Sequence, residues 1–177
     1  MRVVNVVMTA NLGCDIDLRH VTYARHRIAY NPRRFSAAIW RELKATCLLF
    51  RTGRLVLCGA TSVTEGRRYI RRYARLIQKL DYTVTLTEVK VQTMTAAHDM
   101  GCRIYLERLH PFLGVGSDYS PELYPGLIYK TPDKKSATVF HNGKMILAGG
   151  RSVQDLDEFL AELVCAVHFT ASDTCTP

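Results

Sequence analysis

One passage occurs twice in this chain, and the repetition limits its possible folds more than any other feature. Phe50 to Val63 reads FRTGRLVLCGATSV, and Phe140 to Val153 reads FHNGKMILAGGRSV. Six of the fourteen positions are identical: Phe50/Phe140, Gly53/Gly143, Leu57/Leu147, Gly59/Gly149, Ser62/Ser152 and Val63/Val153. Each copy reads as strand, tight turn, strand and helix start. Thr52-Gly53 and Asn142-Gly143 predict two-residue hairpin turns, with glycine in the second place. Ser62-x-x-Glu65 predicts a capping box that satisfies amides left open by the first helical turn, and Ser152-x-x-Asp155 is a weaker version.

The repeat reaches further than this passage. Gly13-Cys14-x-Ile16-x-Leu18 matches Gly101-Cys102-x-Ile104-x-Leu106, and Tyr30-x-Pro32 matches Tyr119-x-Pro121 with Phe35 opposite Tyr124. The chain therefore divides into half-domains over 1–88 and 89–177. Each half is too small to bury a good core alone, so the expectation is one globular unit made of both.

Composition excludes several classes. The chain has 177 residues, 47% of them hydrophobic, which is neither disordered nor fibrous. No run of about 18 apolar residues exists to span a membrane. The N-terminus turns polar by its fifth residue and does not resemble a signal peptide. The six cysteines (Cys14, Cys47, Cys58, Cys102, Cys165, Cys175) form no CxxC pair and the six histidines do not cluster, so reduced thiols without a metal are expected. No nucleophile–base or carboxylate pair recurs at a telling spacing, which argues against an enzyme. A formal charge of +8 suits a polyanionic partner.

In chain order, Arg2 to Leu12 alternates and is rich in valine, so it predicts a strand. Asp15 to His20 predicts a short helix or turn with Asp15 near its start. Arg25–Tyr30 and Ser36–Leu43 predict short strands around the turn Asn31-Pro32-Arg33-Arg34. The hairpin Thr46–Arg51 and Arg54–Cys58 follows, then a long helix from Ser62 to Leu80 with Ile70, Tyr73, Ala74 and Ile77 as its apolar stripe. Arg67, Arg68, Arg71, Arg72, Arg75 and Lys79 occupy its other side. The second half repeats the plan and ends in a helix from Ser152 to about Phe169, striped by Leu156, Phe159, Leu160, Leu163 and Val167. That helix has the opposite charge, with Asp155, Asp157, Glu158 and Glu162 and no lysine or arginine. Helices related in sequence but opposite in sign suggest that different partners meet the two halves.

Leu55 to Cys58 and Met145 to Ala148 are apolar on both strand faces, and such strands are normally covered on both sides. Two long helices can cover one face of about ten strands. The other apolar face must meet something else. An open, pseudo-symmetric sheet flanked by basic residues suits nucleic acid.

At this point the residues resemble the core domain of the TATA-box-binding protein family over nearly the whole chain. The matching segments are NVVMTANLGCDIDL (Asn5–Leu18), ARHRIAYNPRRF (Ala24–Phe35), RRYARLIQKL (Arg71–Leu80), YSPELYPGLIYK (Tyr119–Lys130) and the FHNGKMILAGG hairpin. The resemblance implies an α+β fold, a saddle of two pseudo-symmetric repeats with a ten-stranded antiparallel sheet and helices on the convex face. It implies minor-groove binding and bending of double-stranded DNA, with Phe35, Phe50, Tyr124 and Phe140 as the wedges between base steps. Asn5, Val7, Leu48, Val56, Cys58, Thr93, Thr95, Thr138, Ile146 and Ala148 take the groove-facing positions, and Arg41 and Lys130 take phosphate-contacting ones.

Several of these positions depart from the family pattern. Thr93 stands where the family has its second asparagine. Cys58 and Ala148 replace threonines, Thr95 and Thr138 replace apolar residues, and Tyr124 replaces a phenylalanine. The expectation is a general initiation factor with altered or relaxed TATA preference. An interaction module that binds transcription factors but little DNA is the alternative. Further implied are a transcription factor IIB contact through Glu122 and Leu123, with Ser120 in place of an acid, and a regulator or transcription factor IIA contact through the basic helix. No cofactor is implied. The place of action is nuclear, or a viral transcription site for a viral source.

Overall fold

The computed structural model describes residues 1–171. The elements run β1 (Arg2–Asn11), α1 (Leu18–Ala24), β2 (Ile28–Ala29), β3 (Ala37–Trp40), β4 (Thr46–Phe50), β5 (Arg54–Ala60) and α2 (Val63–Gln78). They continue as β6 (Thr87–Asp99), α3 (Leu106–Leu113), β7 (Ser117–Asp118), β8 (Gly126–Lys130), β9 (Ser136–Phe140), β10 (Lys144–Gly150) and α4 (Val153–Ala171). The fold is α+β, with ten strands in the order β2-β3-β4-β5-β1-β6-β10-β9-β8-β7. The chain forms two compact units, Val4–Thr93 and the part from Met94 onward with Met1–Val3. The division falls inside β6.

In the first unit β4 and β5 alternate between buried and less buried residues, and β1 does so up to Met8. Val6, Met8 and Ala10 of β1, Cys47 and Leu49 of β4, and Leu55 and Leu57 of β5 are buried, as is the α2 stripe of Ile70, Tyr73, Ala74 and Ile77. In the second unit Met94, Ala96, Ala137, Val139, Met145 and Leu147 are buried with Leu156, Phe159, Leu160, Leu163 and Val167 of α4. Period-2 strands and period-3.6 helices thus bury one face each against the other. Ser62 Oγ accepts from the Glu65 amide at 3.1 Å, and Ser152 Oγ accepts from the Asp155 amide at 3.0 Å. Each acid reaches back one residue further than the standard box, to the amide of Thr61 or of Arg151.

The hairpins differ from expectation. Phe50 O accepts from the Gly53 amide, and Leu49 pairs with Leu55, so the loop is the three residues Arg51-Thr52-Gly53. Gly53 has φ 74° and Gly143 has φ 88°, the left-handed third position of a three-residue hairpin. The two Gly-Cys motifs explain why that glycine recurs. A Cβ on Gly53 would meet the Cys14 carbonyl oxygen, and a Cβ on Gly143 would meet that of Cys102. Each hairpin tip is also hydrogen-bonded to its Gly-Cys loop, through Ile16 N–H to Arg51 O and Ile104 N–H to His141 O. The Gly-Cys motif and the hairpin glycine of each half therefore form one interlocked corner.

That corner also corrects the start of α1. Because the Ile16 amide is taken by the hairpin, the helix begins later, and Asp17 rather than Asp15 caps it by accepting from Arg19 and His20. The expected strand Arg25–Tyr30 shrinks to Ile28–Ala29, since Arg27 adopts φ 60°. Cys14, Cys47, Cys58, Cys102 and Cys165 are free thiols, and Cys175 lies outside the described residues. Among the described residues no helix is long and apolar enough to cross a membrane, and no three potential ligands gather around a metal position.

Candidate nucleic-acid interface

Among the described residues, those between the buried ones on each strand form a second face that no helix covers. In the first unit the register lines up Ile39, Leu48, Val56 and Thr9 across β3, β4, β5 and β1. In the second unit the same row is Ile128, Thr138, Ile146 and Ala97 across β8, β9, β10 and β6. Ile146 is 44% exposed, and the others of both rows are half-buried except Thr9, at 9%. Ile39, Ile128, Thr9 and Ala97 are missing from the sequence-based set. Ile39 sits in a short strand with only apolar neighbours and Ile128 between Leu127 and Tyr129, so neither has a polar residue beside it to mark an alternation. Cross-strand pairing is what assigns them to this face.

A second row runs beside the first. Thr46 pairs with Cys58 in one unit; Ser136 pairs with Ala148, and Ala148 with Thr95, in the other. Asn5, Val7 and Thr93 fall on the same alternation and are half-buried. All ten residues expected to face the groove are therefore on the uncovered side of their strands. Partial burial raises the Cys58 thiol above its ordinary value, so the side chain is neutral at pH 7 and can offer at most a weak S–H donor.

Asn5 is oriented by the backbone. Its Oδ1 accepts from the Gly59 amide at 2.8 Å, and Gly59 can present that amide because it takes φ 98° in a bulge where β1 and β5 lose register. A backbone N–H can meet only the carbonyl end of the side-chain amide. The Asn5 NH2 is left as a fixed donor. Sequence reading placed Asn5 and missed Gly59, whose repetition as Gly149 was the available signal.

Each uncovered face ends in a ring pair. Phe35 and Phe50 lie 6.3 Å apart at 65°, and Tyr124 and Phe140 lie 6.1 Å apart at 61°. Phe50 and Phe140 are the last residues of β4 and β9. Phe35 and Tyr124 close the turns before β3 and β8, where Asn31 O and Ser120 O accept their amides. Phe35 is 43% exposed and Tyr124 42%, a large area for rings held in place by backbone bonds. Among the described residues the Tyr124 hydroxyl has no hydrogen-bond partner. Gly126 supports the second pair: a Cβ there would come within 3.0 Å of Tyr124, Phe140 and Thr138.

The charged positions follow the repeat as well. Arg41 and Lys130 are exposed at the ends of β3 and β8, and their amides donate to Arg27 O and Gly116 O respectively. Glu122 and Leu123 are exposed in the turn before Tyr124, Leu123 at 88%. On α2, Arg67, Arg68, Arg71, Arg72 and Arg75 line a groove of about 670 Å³ with Thr64, and Lys79 is exposed just beyond the helix. The arginine face of this helix is turned away from its buried stripe and makes a surface separate from the uncovered strand residues.

Comparison with known proteins gives one family. The family described as "Transcription factor TFIID (or TATA-binding protein, TBP)" matches residues 1–80 and again 88–167. The TATA-box-binding protein of Dictyostelium discoideum is 38% identical over 157 residues, 87% of this chain and 77% of that one. That of Saccharomyces cerevisiae is 38% identical over 86% of this chain and 65% of its own length. The TATA box-binding protein-like 2 of Rattus norvegicus is 41% identical over 87% of this chain. This chain spans only 46% of the rat protein and 56% of the Artemia franciscana relative, so several relatives are much longer. Among solved structures, Methanococcus jannaschii TBP superposes with a TM-score of 0.84 at 28% identity, over 95% of this chain and 98% of that one. The doubled strand–helix plan, the repeated ring pairs and these matches agree: the chain belongs to the TATA-box-binding protein family.

Proposed function

We propose that this protein is a transcription initiation factor that binds duplex DNA through the minor groove and bends it. The observation that carries the reading is the uncovered apolar face of each unit, bounded by its ring pair. A half-buried row of isoleucine, leucine and valine is poorly matched to water and well matched to the sugar edges of a widened minor groove. Rings at the end of that row can enter a base step and replace the stacking they disrupt. The Asn5 NH2 meets the acceptors that A·T pairs show in the minor groove, while the guanine amino group would oppose it donor to donor. Arg41 and Lys130 supply phosphate contacts, which makes binding salt-dependent.

The departures from the family pattern give the finer part of the proposal. With Thr93, Thr95, Thr138 and Tyr124 in the second repeat, TATA preference is relaxed on that side. Glu122 and Leu123 form the contact for transcription factor IIB, and the α2 arginines with Lys79 form the surface for transcription factor IIA or other regulators. The site of action is the nucleus, where such factors work.

Gel-shift titrations with A·T-rich and random duplexes at two salt concentrations test this. The expected result is binding that weakens steeply with salt and yields to a minor-groove competitor. No duplex binding at low salt, together with capture of transcription factor IIB, would instead establish a protein-interaction module.

A further inference from the structure

The groove on α2 is an unusual object for a single helix. Arg67 and Arg71, Arg68 and Arg72, and Arg71 and Arg75 are like charges at i, i+4, an arrangement that disfavours the helix unless something anionic lies across it. Among the described residues none of the five makes an ion pair. The one acid of α2, Glu65, is occupied by Thr61 and Tyr69. Helix α4 carries the complement. Asp155 is engaged by Lys135 and the Arg151 amide, but Asp157, Glu158 and Glu162 are exposed and form no ion pair among the described residues.

We propose that the arginine groove of α2 receives the acidic face of α4 from a second copy of this chain. The spacings match: Glu158 and Glu162 are one turn apart, as are Arg68 and Arg72, so two carboxylates meet two guanidinium forks at about 6 Å intervals. Ala161 and Cys165, both exposed, share that acidic face. Small side chains there let the arginines of a facing helix lie close to the α4 backbone. The chain as a whole repels its copies through its charge of +8, so this contact is local and easily screened by salt. It uses neither uncovered sheet face, so it is compatible with DNA binding. It does compete with any regulator that takes the α2 groove.

The test is sedimentation equilibrium of the whole chain at low and high salt, with two charge-reversed variants. Arg68→Glu with Arg72→Glu reverses the charge at the two contact positions of α2, and Glu158→Arg with Glu162→Arg does so on α4, so either variant alone sets like charges against each other at those positions. The expected result is self-association at low salt that disappears at high salt and weakens at least about tenfold in either variant alone. An equimolar mixture of the two variants then associates, because each now supplies what the other lacks. Recovery in the mixture also shows that both variants are folded, and circular dichroism checks this independently. A chain that stays monomeric at low salt, association that survives in both variants, or a mixture that stays monomeric would each overturn the proposal.

Discussion

The two repeats fill the same space beneath the sheet from opposite sides. In the first, Ala60 ends β5, Gly66 sits on α2, and the Met8 side chain from β1 occupies the gap: a Cβ on Gly66 would meet the Met8 sulfur. In the second, Gly150 ends β10, Leu156 sits on α4, and Ala96 replaces the methionine. A Cβ on Gly150 would run into the Leu156 side chain. Strand donates bulk to helix in one repeat, and helix donates bulk to strand in the other. Backbone geometry is kept while the side chains trade volume, as close packing requires. The repeats also satisfy the loop before their hairpins differently. Tyr73 Oη donates to Ala45 O at 2.9 Å in the first repeat, and its own pKa is pushed up to about 12 by burial. In the second repeat Lys135 stands at that loop position and bridges Asp133 and Asp155.

The largest effect expected from breaking this exchange is on stability. Leu156→Ala should lower the unfolding free energy by about 3 kcal/mol, because nothing on the glycine side of the strand can fill the hole. Chemical denaturation measures it. A loss below about 1 kcal/mol would mean that Gly150 and Leu156 are not the packing pair described.

Importing the second repeat's solution into the first gives the next effect. Gly66→Leu should cost about 2 kcal/mol through overpacking against Met8. Adding Met8→Ala and Ala60→Gly should recover most of that loss, since the three positions then copy Ala96, Gly150 and Leu156. If the triple variant is no better than the single, the two repeats do not share one packing geometry.

How much of this was legible in the sequence depends on whether a residue's role is local. Ser62, Ser152, the α2 stripe and the strand alternation act within a few residues, so their pattern could be read directly. The ring pairs became legible through the repeat and the family resemblance, since Phe35 and Phe50 are fifteen positions apart. The three-residue hairpin loops were misread because Thr-Gly and Asn-Gly match the commoner two-residue turn. Only the corner with Cys14 and Cys102 sets the longer one. Gly59 as the orienter of Asn5, and Ile39 and Ile128 as members of the uncovered rows, depend on strand register. Register is a tertiary property that spacing alone does not reveal.

The uncovered faces carry two ring pairs of similar spacing and angle but unequal chemistry. Phe50→Ala should weaken duplex binding by about 2 kcal/mol and reduce the bend, since a stacked aromatic contributes on that order per base. Tyr124→Ala should do less, because the ring it removes carries a hydroxyl that must be hydrated or paired on insertion. Bend angles from fluorescence energy transfer read both. Equal losses would make the two wedges equivalent despite the tyrosine.

The smallest effect concerns sequence preference and follows from the Asn5 hydrogen bond. With its oxygen held by Gly59, the Asn5 amide can only donate outward, so a G·C pair beneath it leaves two donors facing each other. Thr93, at the corresponding place of the second repeat, carries a hydroxyl that can donate to an adenine or thymine acceptor and can also accept from a guanine amino group. Thr95 and Thr138 extend that tolerance along the second face, where the first repeat has Val7 and Leu48. Selection from random duplexes should therefore return a site with one half strictly A·T and the other degenerate. A single hydrogen-bonding contact discriminates by about 1–3 kcal/mol, so restoring Thr93→Asn should favour A·T at its position by roughly tenfold. Adding Tyr124→Phe should sharpen the same half further, by removing the need to place a hydroxyl at the kinked step. A symmetric consensus from the unaltered chain would show that the threonines read the groove as the asparagine does. An unchanged consensus after both substitutions would move the source of any asymmetry away from this face.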